Sequence, residues 1–200
     1  VRKAIELLSE APCEELIECH CFLSSTLQLG GRMQEALASA EQALVTAEEL
    51  GISGTSAEKR NASILLGMGQ LTDAKAAFEG LLQRGLVRDG PTSTSVLWMR
   101  TMLMSICIST GMFDAGERQA KTVLDDTLAF HKHNAVQMHV ALAGMVHVLA
   151  TVSRLSEALE MAERCHVYCV DTFGSGVERF ATAESSLELA DILSLCGKFE

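Results

Sequence analysis

The chain has 200 residues, a net charge of −10 and only 4% aromatic residues, in a composition rich in Ala, Leu, Ser, Glu and Met. An acidic chain without a basic stripe is poorly suited to gripping a phosphate backbone, so nucleic acid is not an expected partner. Its mean hydropathy is +0.21, yet no uninterrupted apolar run approaches the roughly 20 residues that span a bilayer. The charge is uneven, with 3 basic against 9 acidic residues in 1–50, 6 against 4 in 51–100, and 4 against 9 in 151–200.

Residues 1–9 read as the end of a helix whose partner lies upstream. Pro12 in a first turn, followed by Glu14 and Glu15, opens the next helix, because Pro has no amide to satisfy there and acids suit the N-terminal dipole. That helix carries Leu16, Ile17, Leu23 and Leu27 and breaks at Gly30 and Gly31. A second helix over about 32–50 sets Ala36, Leu37, Ala40, Ala43, Leu44 and Ala47 on one stripe, which is amphipathic helix spacing with small residues for close approach. Gly51 and Gly54 bound the next turn, and Thr55 or Ser56 is expected to cap the helix that follows.

The next pair covers about 56–68 and 70–84, with Ala74, Phe78, Leu81 and Leu82 as core. Residues 85–92, holding Asp89, Gly90 and Pro91, read as the clearest loop in the chain. A third pair spans about 93–110 and 112–132, and a fourth about 135–152 and 155–172. Phe173 to Gly176 reads as another turn, before a helix over about 178–196. No strand pattern survives this pass.

One turn recurs. Gly31, Gly69, Gly111, Ser153 and Gly197 mark it, at spacings of 38, 42, 42 and 44 residues. A period of this size means stacked supersecondary units, none able to bury its apolar face alone. The residues after the turn resemble the tetratricopeptide repeat family, whose second helix opens Gly-x-Tyr/Phe-x-x-Ala. The matches are Gly31/Met33/Ala36, Gly69/Leu71/Ala74 and Gly111/Phe113/Gly116, with Ala43, Leu44 and Phe78 further along. The long period is similar to kinesin light chain and polarity-adaptor arrays. Thr172, Phe173 and Gly174, then Ala183, Leu187, Leu189, Ala190, Leu193, Gly197, Lys198 and Phe199, carry that likeness best. Ser153 at the turn, Met104 and Val146 at positions usually small, and the missing proline after the second helix depart from it.

The resemblance implies an all-α, right-handed α-solenoid of about five stacked helix-turn-helix hairpins. The expected units are 1–9 as the end of a preceding repeat, 12–50, 55–84, 93–132 and 135–172 as four repeats, and 177–200 as the start of a fifth. A chain that starts without Met and stops within a repeat reads as part of a longer array.

Chemistry is sparse. Cys13, Cys19, His20 and Cys21 are the densest set of ligand types, but helix neighbours at i, i+1 and i+2 diverge and cannot face one ion. Cys165 and Cys169 share a face, with His166 beside them, but no fourth partner is apparent. No metal site and no cofactor are expected. His131 and His133 read as surface groups near a helix end. Gly174, Ser175 and Gly176 lack the Lys-Ser/Thr of a phosphate loop, and no catalytic constellation can be argued, so no enzymatic activity is expected. The methionines near Trp98 read as packing residues, with a partner-binding stripe as the rival. The seven cysteines lack the spacing of a disulfide framework, which fits an intracellular, cytoplasmic protein.

The resemblance also implies that first helices line a concave groove for a peptide or partner protein. Phasing on the turn puts Glu18, Ser25, Gln28, Lys59, Ser63, Trp98, Thr101, Ser105, His147, Glu184 and Asp191 toward it. The expected function is a non-catalytic adaptor or scaffold. The alternatives are a built-in subunit of a large complex, or the regulatory arm of a larger enzyme or transcription regulator. The bland reading of the stripe is a solvated face without a ligand.

Overall fold

The structure is a computed structural model that describes residues 1–8, 12–173 and 180–197. Among the described residues ten helices follow one another: α1 (Arg2–Leu8), α2 (Glu14–Leu29), α3 (Met33–Leu50), α4 (Thr55–Gly67), α5 (Leu71–Asp89), α6 (Thr94–Ser109), α7 (Phe113–Phe130), α8 (Ala135–Thr151), α9 (Leu155–Phe173) and α10 (Phe180–Leu195). There is no strand among the described residues. The chain forms two compact units, Val1–Arg84 and Gly85–Glu200.

The recurring turn is a helix C-cap with one residue in the left-handed region. Gly31, Gly69 and Gly111 have φ of 74°, 74° and 75°. The amide of Gly31 donates to the Gln28 carbonyl and that of Arg32 to Leu27; Gly69 and Gln70 repeat this toward Leu66 and Leu65, and Gly111 and Met112 toward Ile108 and Cys107. The paired bonds satisfy two carbonyls that the helix end would leave open. Ser153 holds the same place at φ 61°, with the same bonds from Ser153 to Ala150 and Arg154 to Leu149. The hairpin turn is thus set by its hydrogen bonds, and glycine only makes it cheaper.

In the first unit the alanine stripe does what its spacing predicts. Ala36, Ala40, Ala43 and Ala47 are all buried. Ala43 and Ala47 pack with Ile17 of α2 and Ala57 of α4, while Ala36 and Ala40 pack with Leu27 and Ile64. The close approach lets buried Ser24 donate to the Ala36 carbonyl at 2.8 Å, and Ser39 to that of His20 at 3.0 Å. Ala74, Phe78, Leu81 and Leu82 are core, as expected. Arg84 ties α5 to Glu58 of α4 at 2.6 Å.

In the second unit larger residues fill the space. Val123 and Leu124 of α7, Met138, Ala141 and Leu142 of α8, and Cys165 and Cys169 of α9 form one cluster. Val146, Leu149, Ala158, Leu159, Ala162 and Ile192 form another. Met104 lies over Gly144, where an added Cβ would meet its Cε at 3.2 Å. Gly116 stands where the repeat pattern has Ala because a Cβ there would meet Ile108 at 3.3 Å. Ser93 and Asn134 cap α6 and α8 by accepting from the amides of Val96 and Gln137.

Two local expectations need correction. The stretch read as a loop from Gly85 is helical through Asp89, since α5 continues. Gly85 is there for packing: a Cβ would meet Met99 Cε at 2.7 Å and Val96 at 3.3 Å. Neither Thr55 nor Ser56 caps α4; its N-cap is Gly54, and Thr55 is already helical, its hydroxyl 2.6 Å from that of Ser53. The turn expected at Gly174 to Gly176, and the repeat positions Lys198 and Phe199, lie outside the described residues.

Candidate functional site

The first helices of the second unit's hairpins, α6, α8 and α10, share a cleft of about 700 Å³. Its lining repeats at helical spacing: Thr101, Met104 and Ser105 on α6; Val136, Val140, Ala143 and His147 on α8; Ala181, Glu184 and Glu188 on α10. Phe173, at the end of α9, joins them. Met104 is buried and Val136 exposed, so the cleft runs from core to surface. The hydroxyls of Thr101 and Ser105 turn back to the carbonyls of Leu97 and Thr101 at 3.1 and 3.2 Å, which leaves their carbon atoms to the cleft.

The groove residues expected from sequence divide between the units. Thr101, Ser105, His147 and Glu184 come together on this cleft, whereas half-buried Trp98 and exposed Asp191 are not in its lining. In the first unit Gln28 reaches the Ser63 carbonyl at 3.5 Å, and the Ser63 hydroxyl donates to the Lys59 carbonyl at 2.8 Å. Ser25 donates to the Cys21 carbonyl at 2.9 Å, and Glu18 is exposed on the same helix.

Under the cleft lies a group that sequence reading did not assemble. His139 of α8 is buried with Nδ1 at 3.6 Å from Cys165 Sγ and 3.4 Å from Cys169 Sγ, both on α9. Its other nitrogen, Nε2, sits 3.0 Å from Glu184 Oε2. A carboxylate can only accept, so Nε2 donates to Glu184, and Nδ1 is the ring nitrogen that faces the two thiols. Burial pushes both thiols up, and for Cys165 the neighbouring Cys169 and then Glu188 add to it. Burial likewise raises Glu188, against the opposing pull of His139. Glu188 Oε2 is buried without a hydrogen-bond partner.

His166, the imidazole adjacent to Cys165 in sequence, faces elsewhere, with Nδ1 at 3.4–3.5 Å from the hydroxyls of Ser185 and Ser186. The signal that could have pointed to His139 is its place on the apolar face of α8, beside Met138 and Leu142. His20 packs on Ser39 at 3.4 Å, and burial lowers its pKa. Among the described residues, His139, Cys165 and Cys169 are the one group of three with donor atoms close enough to share an ion. His131 ends α7, its ring bonded to the Thr92 carbonyl at 2.5 Å, while His133 is exposed.

No protein-family model matches this chain. No curated protein matches it in sequence. Its fold does have counterparts among solved structures. It is similar to BtubC (BKLC) from P. vanneervenii with a TM-score of 0.76 at 16% identity, over 92% of this chain and 74% of that one. It is also similar to a putative kinesin light chain with nearly identical TPR-like repeats from Podosopora anserina, with a TM-score of 0.73 at 16% identity, over 91% and 87%. A variant form of that second protein gives a TM-score of 0.74. The fold is therefore that of TPR-like repeat proteins, and no helix among the described residues is long and apolar enough to cross a membrane.

Proposed function

We propose that this chain is a non-catalytic protein-interaction module, an adaptor or scaffold, that takes an apolar side chain of a partner protein or peptide into the cleft between α6, α8 and α10. A TPR-like fold is a protein-interaction scaffold in general. The observation that carries the reading is the cleft itself, with Met104, Val140, Ala143 and Phe173 as apolar lining and Thr101, Ser105, His147 and Glu184 as polar groups beside it. Its volume of about 700 Å³ suits a bulky side chain or two. The carboxylates of Glu184 and Glu188 favour a partner segment in which a basic residue flanks the apolar one. Trp98 and Asp191 are proposed to extend the contact, and Glu18, Ser25, Gln28, Lys59 and Ser63 are proposed as a partner-binding surface of the first unit. Cysteines not spaced as a disulfide framework support a reducing, cytoplasmic setting.

The test places a photo-reactive residue at position 147, on the cleft, or at 163, on the exposed side of α9, in the native source. One protein cross-linked from 147, absent from 163 and lost when Ala143→Arg fills the cleft, is the expected result. Equal labelling from both positions, or labelling that survives Ala143→Arg, overturns the cleft reading. If Trp98 also anchors the partner, Trp98→Ala costs more than about 2 kcal/mol of binding.

A second reading, a permanently incorporated subunit of a complex, is supported by Leu29 and Val87, exposed to 91% and 90%. An isolated chain that stays monodisperse and soluble at high concentration speaks against it.

A further inference from the structure

We propose that His139, Cys165 and Cys169 bind a thiophilic divalent cation of the zinc class through Nδ1 and the two Sγ atoms. The site lies beneath the cleft and shares His139, Glu184 and Glu188 with its lining.

Four observations converge on it. First, the spacing fits. Zn–N and Zn–S bonds of about 2.0–2.1 and 2.3 Å at tetrahedral angles put nitrogen and sulfur about 3.6 Å apart. The observed separations are 3.6 and 3.4 Å, and all three donor atoms lie within 4.8 Å of one another. Cys165 and Cys169 are one turn apart on α9, so both sulfurs leave the helix on one side.

Second, the histidine is already held as a ligand would be. Metal-bound imidazoles give their other N–H to a carboxylate, which fixes the tautomer and the ring plane. Glu184 accepts from Nε2 at 3.0 Å, and that turns Nδ1, the nitrogen free to ligate, toward the sulfurs.

Third, the charges close. Two thiolates, a neutral imidazole and a dication sum to zero, which is the form in which such a group tolerates burial. Each thiol gives its proton to solvent as the metal enters, so binding one ion releases two protons. Fourth, Glu188 Oε2 is buried near this group without a hydrogen-bond partner. A water takes the fourth position and can donate to that oxygen, which keeps the sum of charges at the metal at zero, and the cleft that His139, Glu184 and Glu188 line gives the ion an entry path.

The experiment uses the reduced, metal-stripped full chain, titrated with Co²⁺ and then Zn²⁺. One equivalent of cobalt is expected to give tetrahedral visible bands and a thiolate-to-cobalt charge-transfer band, both erased by one equivalent of zinc. The Cys165→Ser/Cys169→Ser double variant loses the charge-transfer band and binds zinc at least about 100-fold more weakly. Cys107→Ser, which alters a buried thiol elsewhere, leaves both intact. Glu184→Gln keeps the band but weakens binding about 10–100-fold, the effect expected of an outer-shell partner.

Should the double variant fail to fold by circular dichroism, the single variants Cys165→Ser and Cys169→Ser decide, each expected to weaken the thiolate-to-cobalt charge-transfer band relative to the wild type. The proposal falls if the wild type holds under about 0.1 equivalent of zinc and shows no charge-transfer band. Metal retained by the double variant, or a Cys165–Cys169 disulfide that persists under reducing conditions, overturns it equally.

Discussion

The two units use one turn and two packing solutions. In the first, α3 meets its neighbours through Ala36, Ala40, Ala43 and Ala47, and small residues stand on both sides of the contact, as Ala57 and Ala62 do on α4. In the second, one partner is large and the other is pared down: Met104 lies over Gly144, and Ile108 against Gly116. The alanines of α3, packed against Ile17, Leu27, Ala57 and Ile64, are only 0–1% exposed and leave no slack. Methionine against glycine sets flexible chains between the helices, and it is in that unit that α6, α8 and α10 share a cleft and that an imidazole and two thiols meet beneath it. Met104, one of the departures from the repeat pattern, lies in the lining of that cleft.

The largest test of the contrast is Phe78→Ala. Phe78 is fully buried amid the small residues of the first unit, and its loss is expected to cost about 3–5 kcal/mol in urea unfolding. Ala43→Leu comes next. Ala43 is 0% exposed between Ile17, Ala47 and Ala57, so the added atoms cost about 1–3 kcal/mol. Gly144→Ala is the counterpart in the second unit. The new Cβ meets only the thioether end of Met104, at 3.2 and 3.3 Å, which can yield, while alanine gains about 0.5–1 kcal/mol as a helix former. The net change is expected within about 1 kcal/mol of zero. If Gly144→Ala costs as much as Ala43→Leu, Met104 is held rigidly and the contrast fails.

How much was legible follows from the range of each signal. The turn at Gly31, Gly69 and Gly111 is a local hydrogen-bond motif with a residue preference, and the alanine stripe is a periodicity; both can be read in one dimension. Gly85 could not, because the same residue serves turns and close packing, and only the position of Met99 tells which. His139 and Cys165 are 26 residues apart on separate helices, and the adjacent His166 drew the eye instead. Nothing local marks such a meeting except a histidine on an apolar face. The grouping of Thr101, Ser105, His147 and Glu184 followed from repeat phase, but the cleft they share depends on the size of what lies between, which phase does not give.

The turn itself offers a smaller test that compares like with like. Ser153 adopts φ 61° where the other copies have glycine at 66° to 75°. A side chain there works against the steric preference of L-residues, so Ser153→Gly is expected to stabilise by about 0.5–1 kcal/mol. Gly111→Ala, at φ 75° with nothing within 4 Å of the added Cβ, is expected to destabilise by about 1 kcal/mol through backbone conformation alone. Equal and opposite urea midpoint shifts would establish that the cost of a side chain at this turn is set by its backbone conformation and is the same in both copies.

The smallest effect concerns the charges that follow this turn. Both units carry an arginine paired with a glutamate three residues on, Arg32 with Glu35 and Arg154 with Glu157. In the second unit Arg154 also reaches Glu117 of α7 at 2.5 Å. The hydrogen bond from Arg154 holds the Glu157 carboxyl below its usual range, against an opposing desolvation and with the guanidinium charge adding to the lowering. A carboxyl depressed by folding stabilises the fold once pH exceeds its unfolded value, and that contribution is lost as pH falls through the folded value. The difference in melting temperature between wild type and Glu157→Gln is therefore expected to be small at pH 7 and low salt, and to fade between about pH 5 and pH 3. Because both side chains are solvent-exposed, added salt should shrink it as well. A difference that persists at pH 3 would mean that Glu157 acts through packing against Arg154 and not through its charge.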